Sequence, residues 1–262
     1  MKIKHEINAI ATIALRDFTK LLRDRMRLVT SFIFPVIFIG VLGGSLQSNL
    51  AADAGYNFLT FVFIGVLAQT LFQSTAAGII SLIEDRENDF SQEMFVSPIS
   101  RYSIIVGKII GEGLVASTQT VGIIIFGIVI GVPFGLTDFI TLLPAAAGAI
   151  LLGGAFGVIV MANLSNQRTA NQIFPFLIFP QFFLAGVFNP IKNLPPVILQ
   201  LSRISPMTYP VDLFRSIYYL GKPEYDKVVL FSPAFNVLVI SIMFLIFISI
   251  GTYFFVKNER NR

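Results

Sequence analysis

The chain has 262 residues, 55% of them hydrophobic and only 13% charged, with a net charge of +4 and a mean hydropathy of +0.77. So few charges cannot cover the surface of a soluble globule, and the composition predicts a membrane protein. The sequence contains no cysteine and one histidine, His5. Disulfides, thiol catalysis, thiolate metal sites and histidine-based proteolysis within the membrane are therefore excluded.

Six stretches of 23 residues or more lack Asp, Glu, Lys and Arg, and each exceeds the roughly 20 residues that a helix needs to cross the hydrocarbon. Lipid offers the backbone no hydrogen-bond partner, and continuous apolarity without alternation excludes a barrel. The sequence therefore predicts an all-α polytopic membrane protein, a single domain over residues 1–262 with six transmembrane helices. Their predicted bounds are 28–47, 57–83, 102–131, 139–163, 172–189 and 232–256.

The distribution of basic residues predicts the orientation. With the N-terminus in the cytoplasm, 14 of the 19 Lys and Arg residues lie in cytoplasmic segments, and the other five lie in the long connection between the fifth and sixth spans. Cytoplasmic loops are enriched in Lys and Arg, so both termini are predicted to be cytoplasmic. The first apolar run is too long for a signal-peptide core, and we expect the N-terminus to be retained.

Two segments outside the spans have an amphipathic pattern. In residues 1–27, apolar side chains recur at helical spacing among basic ones, which predicts a helix in the cytoplasmic interface that faces anionic lipid heads; a solvated basic tail is the alternative. Residues 190–222 are too polar to span the membrane. They contain two stretches with one apolar side each, which predicts two short re-entrant helices in or on the outer leaflet.

A few polar residues lie inside the predicted spans. Glu112 either reaches the cytoplasmic interface or pairs with Lys108 one turn earlier, and the alternative is a role in gating. Gln69 and Gln73 in the second span are expected to face other helices or a cavity. The fifth span contains two prolines and Gln181, a composition found in moving or pathway-lining helices and also in inert ones.

The segment between the second and third spans, residues 84–100, is charged and ends near Pro98, which predicts a helix of about three turns. Phe90, Met94 and Phe95 give it an apolar edge beside the charges. An ordinary solvated loop would account for the charges, whereas the aromatic edge favours docking to another protein. The candidate docking residues are Glu84, Asp85, Arg86, Glu87, Phe90, Glu93, Met94 and Phe95.

The sequence contains no phosphate-binding loop. Its Gly-Lys pairs, Gly107-Lys108 and Gly221-Lys222, lack both the upstream glycine and the following Ser or Thr of that motif. Any ATP chemistry is therefore expected on a partner, and the chain itself is not expected to be an enzyme.

In combination these features resemble the type-2 ATP-binding-cassette (ABC) exporter permeases, especially the daunorubicin-resistance-like bacterial subunits, over essentially the whole chain. The matching residues are the run Glu84-Asp85-Arg86-Glu87, Phe90, Glu93, the segment Ser97-Pro98-Ile99-Ser100-Arg101, Gly107-Lys108, and Pro206-Met207-Thr208-Tyr209 followed by Asp212 and Arg215. The specificity comes from the combination and its order, because no single motif is diagnostic.

The resemblance implies that two permease copies pair as a homodimer around a substrate route and that each binds a cytoplasmic ABC ATPase. ATP and Mg would be bound by that ATPase and no cofactor by this chain. Glu84–Phe95 would be the coupling helix, the N-terminal helix the connecting helix, and residues 190–222 the outer gate. Gating or structural roles fall to Lys108, Glu112, Pro206, Asp212 and Arg215, and the substrate route to Phe72, Gln73, Phe176, Gln181 and Phe183.

The expected function is thus the transmembrane subunit of an ATP-driven exporter of a drug, lipid or glycolipid, located in a bacterial or archaeal plasma membrane, with membrane lipids and no nucleic acid among its partners. An ATP-independent channel or secondary transporter is one alternative, although it would carry several intramembrane ionisable residues or an internal repeat. A lipid-modifying enzyme would need acids or histidines clustered at one depth. An ABC subunit that exports polysaccharide or haem differs in cargo alone.

Overall fold

The computed structural model describes residues 2–87, 100–164 and 166–260, and these ranges contain helices and no strand. Helix α1 (Lys2–Arg23) is followed by α2 (Arg25–Ile37), a π-helical segment (Phe38–Gly43) and α3 (Gly44–Ala54). The remaining α-helices are α4 (Phe58–Glu87), α5 (Arg101–Val129), α6 (Leu136–Ala162), α7 (Gln167–Leu184), α8 (Pro196–Ile204), α9 (Thr208–Tyr218), α10 (Tyr225–Val228) and α11 (Pro233–Arg260). The predicted all-α class is confirmed.

Five segments within the described ranges are long and apolar enough to cross a membrane: Val29–Asn49, Phe58–Ile83, Tyr102–Val129, Leu136–Ala162 and Tyr225–Lys257. They overlap the predicted spans one, two, three, four and six. The predicted fifth span overlaps α7, which begins five residues earlier than residue 172 and so includes polar side chains in its first turns. The sixth membrane crossing therefore stays a prediction.

The first apolar helix contains Pro35, and the backbone widens into the π-helical segment three residues later. A proline inside a helix lacks the N–H that would bond to the preceding turn, and the chain adjusts its winding nearby. The run ends at Gly55, whose φ of +66° is the left-handed conformation that closes many helices.

Helix α4 is the centre of the bundle, because it contacts α5, α6, α7 and α9 and buries most of its side chains. Its tightest neighbour is α6, where Gly153 and Gly157 lie against the backbone of α4 at Phe72 and Ala76. Small residues let membrane helices approach this closely and gain van der Waals contact over their length.

Helix α1 packs along α5 in the same way. A Cβ added to Gly107 would lie 3.2 Å from Ile10 Cα, and one added to Gly111 would lie 3.0 Å from Ala14 Cα. One face of the amphipathic helix therefore packs on protein. The apolar side chains of Ile7, Leu15 and Leu22 remain exposed elsewhere on it, as an interfacial helix requires.

The close approach of α4 and α6 generates a test. We expect Gly153→Ala to lower the thermal midpoint of the detergent-purified protein by several degrees, because the new methyl group meets the rigid backbone at Phe72, and overpacking costs about 1–3 kcal/mol. Gly44→Ala is the matched control, since nothing lies within 4 Å of its added Cβ. Equal midpoints for the two variants would show that this contact contributes little to stability.

Candidate functional site: a cleft between two buried charge clusters

Three buried ionisable side chains join α1 to α5, and we name Asp17, Lys108 and Glu112 the Lys108 cluster. The Nζ of Lys108 lies 2.9 Å from Oδ2 of Asp17 and 3.5 Å from Oε1 of Glu112, and each of the three residues is less than 5% exposed. Arg16 adds a contact of 3.0 Å to the other oxygen of Asp17. A buried charge is costly unless it is paired, so this cluster fixes α1 on α5.

The Lys108 cluster also reaches the central helix. The carboxylate of Glu112 occupies the space where a side chain at Gly78 of α4 would lie. Helix α4 continues without a break from Gly78 to Glu87, where the predicted docking segment begins. Three helices therefore meet around the Lys108 cluster, near the end of the bundle from which that segment departs.

A further contact holds the start of α5. Ser100 caps the helix by accepting a hydrogen bond from the Ser103 amide, and the Ser100 amide donates to both carboxylate oxygens of Glu6, at 3.1 and 3.2 Å. The Ser103 hydroxyl and the Ser100 amide hold the pKa of Glu6 below its ordinary value. Glu6 is therefore ionised at neutral pH and extends the seam between α1 and α5 by two turns beyond Lys108.

The opposite end of the bundle contains a second buried cluster, centred on Asp212 of α9. Its carboxylate accepts hydrogen bonds from the Leu230 amide at 2.7 Å, the Phe231 amide at 2.8 Å and the Asn236 side chain at 2.8 Å. Charge-assisted bonds of this kind are the strong ones. Asp212 thus ties α9 to the segment that leads into α11.

Arg215, one turn after Asp212 and 1% exposed, ties α9 to α4 and to the segment that follows α7. It donates to the carbonyl oxygen of Val187 at 3.0 Å, and its guanidinium lies 3.6 Å from the ring centroid of Phe61. A Cβ at Gly65 would lie 2.7 Å from the guanidinium, so the glycine leaves room for it. Helix α9 is accordingly buried within the bundle, whereas α8 exposes its apolar side.

Gln181 of α7 holds the turn between α8 and α9. Its carbonyl oxygen accepts hydrogen bonds from the Met207 amide at 3.2 Å and the Ser205 hydroxyl at 3.3 Å. Pro206 lies between these two donors, and Ser205 has the extended backbone that a following proline requires. Gln181, which the sequence predicted to lie on the substrate route, thus uses its carbonyl oxygen for a contact between α7 and the turn before α9.

A cleft of about 400 Å³ opens among α2, α4, α5 and α7, between the two charge clusters. Its polar lining comprises Thr30, Ser31, Gln69, Thr70, Gln73, Ser74 and Gln119, and its aromatic lining comprises Phe34, Phe179 and Phe182. This volume and this mixture of apolar walls with a few polar groups are typical of small-molecule sites.

The residues predicted for the substrate route do not all meet in this cleft. Gln73 lines it, while Phe72 is fully buried, and its ring lies tilted against that of Phe156 of α6, with 5.5 Å between the centroids. Phe176 and Phe183 are 80% and 67% exposed on the outer face of α7. The predicted docking residues after Glu87 lie outside the described residues, and Glu84 to Glu87 continue the backbone of α4.

Several residues of the site were missed from the sequence. In the sequence, Asp17 is one of the charged residues that lie between the apolar ones of the N-terminal helix, and Gln119 of α5 is not among the candidate site residues. The signal for Asp17 was present, because it shares a face of α1 with Ile10 and Ala14, the residues that contact the glycines of α5. No sequence signal separates Phe179 and Phe182, which line the cleft, from the other phenylalanines of α7.

The fold and the cleft define a class of protein: a multi-pass helical membrane protein with a partly polar cleft among its helices, as expected of a transport subunit. The profile of the ABC-2 type transporter family matches residues 8–219, and the chain belongs to this family. The resemblance to type-2 ABC permeases noted in the sequence is thereby confirmed. Subunits of this family generally work with a cytoplasmic ABC ATPase.

Curated relatives agree with this family. The chain is 24% identical over 220 residues to a putative transport permease, ycf38, of Cyanophora paradoxa, which covers 81% of this chain and 74% of the relative. It is 25% identical to nodulation protein J of Rhizobium meliloti, over 72% of each chain. It is 28% identical to the probable multidrug ABC transporter permease YbhR of Escherichia coli K12, over 53% of this chain and 38% of the relative.

The Lys108 cluster predicts the effect of removing its cation. We expect Lys108→Met to destabilise the protein by about 3–5 kcal/mol, because it leaves two neighbouring buried carboxylates without their shared ammonium. Thermal unfolding in detergent measures this. Lys257→Met, at an exposed lysine, should have no effect, and neutralising all three members of the cluster together should restore much of the loss. An unchanged midpoint for Lys108→Met would contradict the cluster's structural role.

The Asp212 cluster makes a separate prediction. In Asp212→Asn one carboxylate oxygen becomes an amide N–H₂ group that faces a backbone donor, so at least one charge-assisted bond of about 1.5–3 kcal/mol is lost. We expect a lower thermal midpoint and faster proteolysis near residues 230–232. Asp226→Asn, on the exposed α10, is the matched control and should behave like the unchanged protein.

Proposed function

We propose that the chain is the transmembrane subunit of an ATP-driven exporter, in which a separate ATPase drives conformational changes that move a hydrophobic or amphipathic substrate out of the cytoplasm or the inner leaflet. The observation that carries this proposal is the continuity of α4. The same helix lines the cleft at Gln73, contacts Glu112 at Gly78 and leads at Glu87 into the docking segment.

In this proposal the segment from Glu84 to Phe95 is the coupling helix that binds the ATPase. ATP and Mg are bound by that partner, and both termini of the permease lie in the cytoplasm of a bacterial or archaeal cell. The basic residues around α1 and the Lys108 cluster then lie on the cytoplasmic side, in agreement with the positive-inside tendency of membrane proteins.

The proposed topology has six crossings, with α7 as the fifth and α8 and α9 as a re-entrant outer gate. The polar start of α7 is compatible with a crossing when its side chains reach the interface and Gln181 is satisfied by the turn before α9. Two copies pair as a homodimer. The exposed Phe176 and Phe183, which point away from the bundle, are the proposed contact with the second copy or with lipid.

Transmission of force follows from the contacts of α4. An ATPase that binds ATP better in one arrangement than in another shifts the equilibrium between the two by that difference in affinity. A displacement of the coupling segment is passed to α4. Helices α1 and α5 move with α4, because the Lys108 cluster joins them to each other and packs against α4 at Gly78. The cleft, whose walls include α4 and α5, is then deformed.

A substrate of drug-like or lipid-like character is supported by the aromatic walls of the cleft and by a relative that is itself named a probable multidrug permease. An ATP-independent channel or secondary transporter is less well supported. The buried charges described above are paired near the two ends of the bundle, and the residues that line the cleft carry none.

The docking assignment is tested by the triple variant Phe90→Ala, Met94→Ala, Phe95→Ala. We expect it to lose co-purification with its proposed cytoplasmic ABC ATPase, or to keep the complex but hydrolyse ATP without export, because the apolar edge of the coupling helix is gone. Pull-down from detergent-solubilised membranes and ATPase assays in proteoliposomes measure the two outcomes.

A control of the same size distinguishes docking from general destabilisation. The triple variant Val197→Ala, Leu201→Ala, Ile204→Ala removes exposed apolar side chains from α8, at the other end of the bundle. It should keep the ATPase bound. If the triple variant in the coupling segment retains both the complex and transport, the docking assignment is wrong.

A further inference from the structure

The cleft among α2, α4, α5 and α7 is lined by uncharged residues. Its polar groups are amides and hydroxyls, and the residues that line it include no Asp, Glu, Lys, Arg or His. Polar side chains within a membrane protein normally form hydrogen bonds with neighbouring helices. An amide that lines a cleft without such a contact is therefore informative about what the cleft binds.

Gln119 of α5 is such an amide. It is 6% exposed and lines the cleft, and within the described ranges its side chain has no hydrogen-bond partner. The other glutamines nearby have partners: Gln181 is held by the turn before α9, and the side-chain N–H₂ group of Gln69 donates to Gln73, although the carbonyl oxygen of Gln69 is buried without a hydrogen bond. A buried amide left without partners costs stability, so Gln119 is poised for a ligand or for water.

Gln73 is a second amide that lines the cleft. Its carbonyl oxygen accepts a hydrogen bond from the Gln69 amide at 3.3 Å, which leaves the N–H₂ group of Gln73 to donate elsewhere. Together, Gln73 and Gln119 offer both donors and an acceptor to a molecule in the cleft. The groups that match such a mixed surface are hydroxyls and carboxamides, each of which can donate and accept at once.

The opposite wall is aromatic. Phe34 of α2 lies 5.8 Å from Phe182 and 6.4 Å from Phe179 between ring centroids, and the two α7 rings are 5.5 Å apart. Rings at these separations and at interplanar angles of 48° to 71° form a tilted, largely edge-to-face cluster, which is an apolar aromatic surface. A ligand with a planar or aliphatic body can lie against it while its polar group faces the amides.

We propose that this cleft selects neutral amphipathic molecules whose hydroxyl or carboxamide group binds Gln119 and Gln73 and whose apolar body packs on Phe34, Phe179 and Phe182. This inference rests on the proposed function and narrows its substrate class. Ionic head groups are excluded because a desolvated charge needs a countercharge, and the lining supplies none; the gain from a cation over an aromatic ring does not offset that cost.

The test uses the full-length permease in phosphatidylcholine nanodiscs and three fluorescent probes with the same ring system. 2-Naphthol carries the hydroxyl, 2-methoxynaphthalene has the donor blocked by a methyl group, and protonated 2-naphthylmethylamine carries a charge. Binding to empty nanodiscs is subtracted. We expect 2-naphthol to bind at least about fivefold more tightly than either of the other two probes, as for a hydrogen bond to an otherwise unsatisfied buried group.

Substitution at Gln119 locates the selectivity. In Gln119→Met, which keeps the length of the side chain and removes the amide, the preference for 2-naphthol over 2-methoxynaphthalene should fall to about one. Gln200→Met is the matched control, because Gln200 is an exposed amide on α8 that does not line the cleft. Its preference should equal that of the unchanged protein.

Each outcome decides the proposal. Equal binding of the two neutral probes to the unchanged protein, a preference that survives in Gln119→Met, or tighter binding of the ammonium probe would overturn it. The assay contains no ATPase, so selectivity in a permease that never associates with one would refute the proposed exporter function and leave the cleft's preference standing. A permease that exports with its ATPase but lacks this preference would refute the proposed selectivity of the cleft and leave the exporter function standing.

Discussion

The ammonium of Lys108 is the interaction on which one end of this molecule depends. It is 2% exposed and lies between the carboxylates of Asp17 and Glu112, so neither α1 nor α5 can leave the other without exposing a charge to an apolar interior. Glycines on α5 let the two backbones approach closely enough for this pairing. An amphipathic helix that would otherwise be held only by lipid is thereby made part of the bundle.

The other end is held by the same kind of chemistry with different partners. Asp212 accepts hydrogen bonds from two backbone amides that precede α11. Arg215 donates to the carbonyl oxygen of Val187 and lies over the ring of Phe61. Charges that are satisfied by several donors or acceptors at once resist displacement, because every partner must be released together. The middle of the bundle is held instead by apolar contacts, and the uncharged cleft lies there.

The sequence was sufficient for the features that depend on periodicity and composition. The helical class, five of the six predicted spans and the i,i+4 contact between Lys108 and Glu112 all follow from local sequence pattern. Asp17 could not be assigned in advance, since its partner lies 91 positions away and the approach of α1 depends on glycines of another helix. Similarly, Phe179 and Phe176 look alike in the sequence, and only the rotation of α7 decides which one faces the cleft.

The walls of the cleft are tied to opposite ends of the molecule, and this has a mechanical consequence. Helix α4 packs at Gly78 against the carboxylate of Glu112, whereas α7 is held by Gln181 to the turn before α9. A shift of α4 driven from the Lys108 end changes the width of the cleft unless α7 follows, and α7 can follow only if the turn at Ser205 moves too. A molecule in the cleft that contacts both walls therefore couples the two ends, because it stabilises whichever arrangement fits it best.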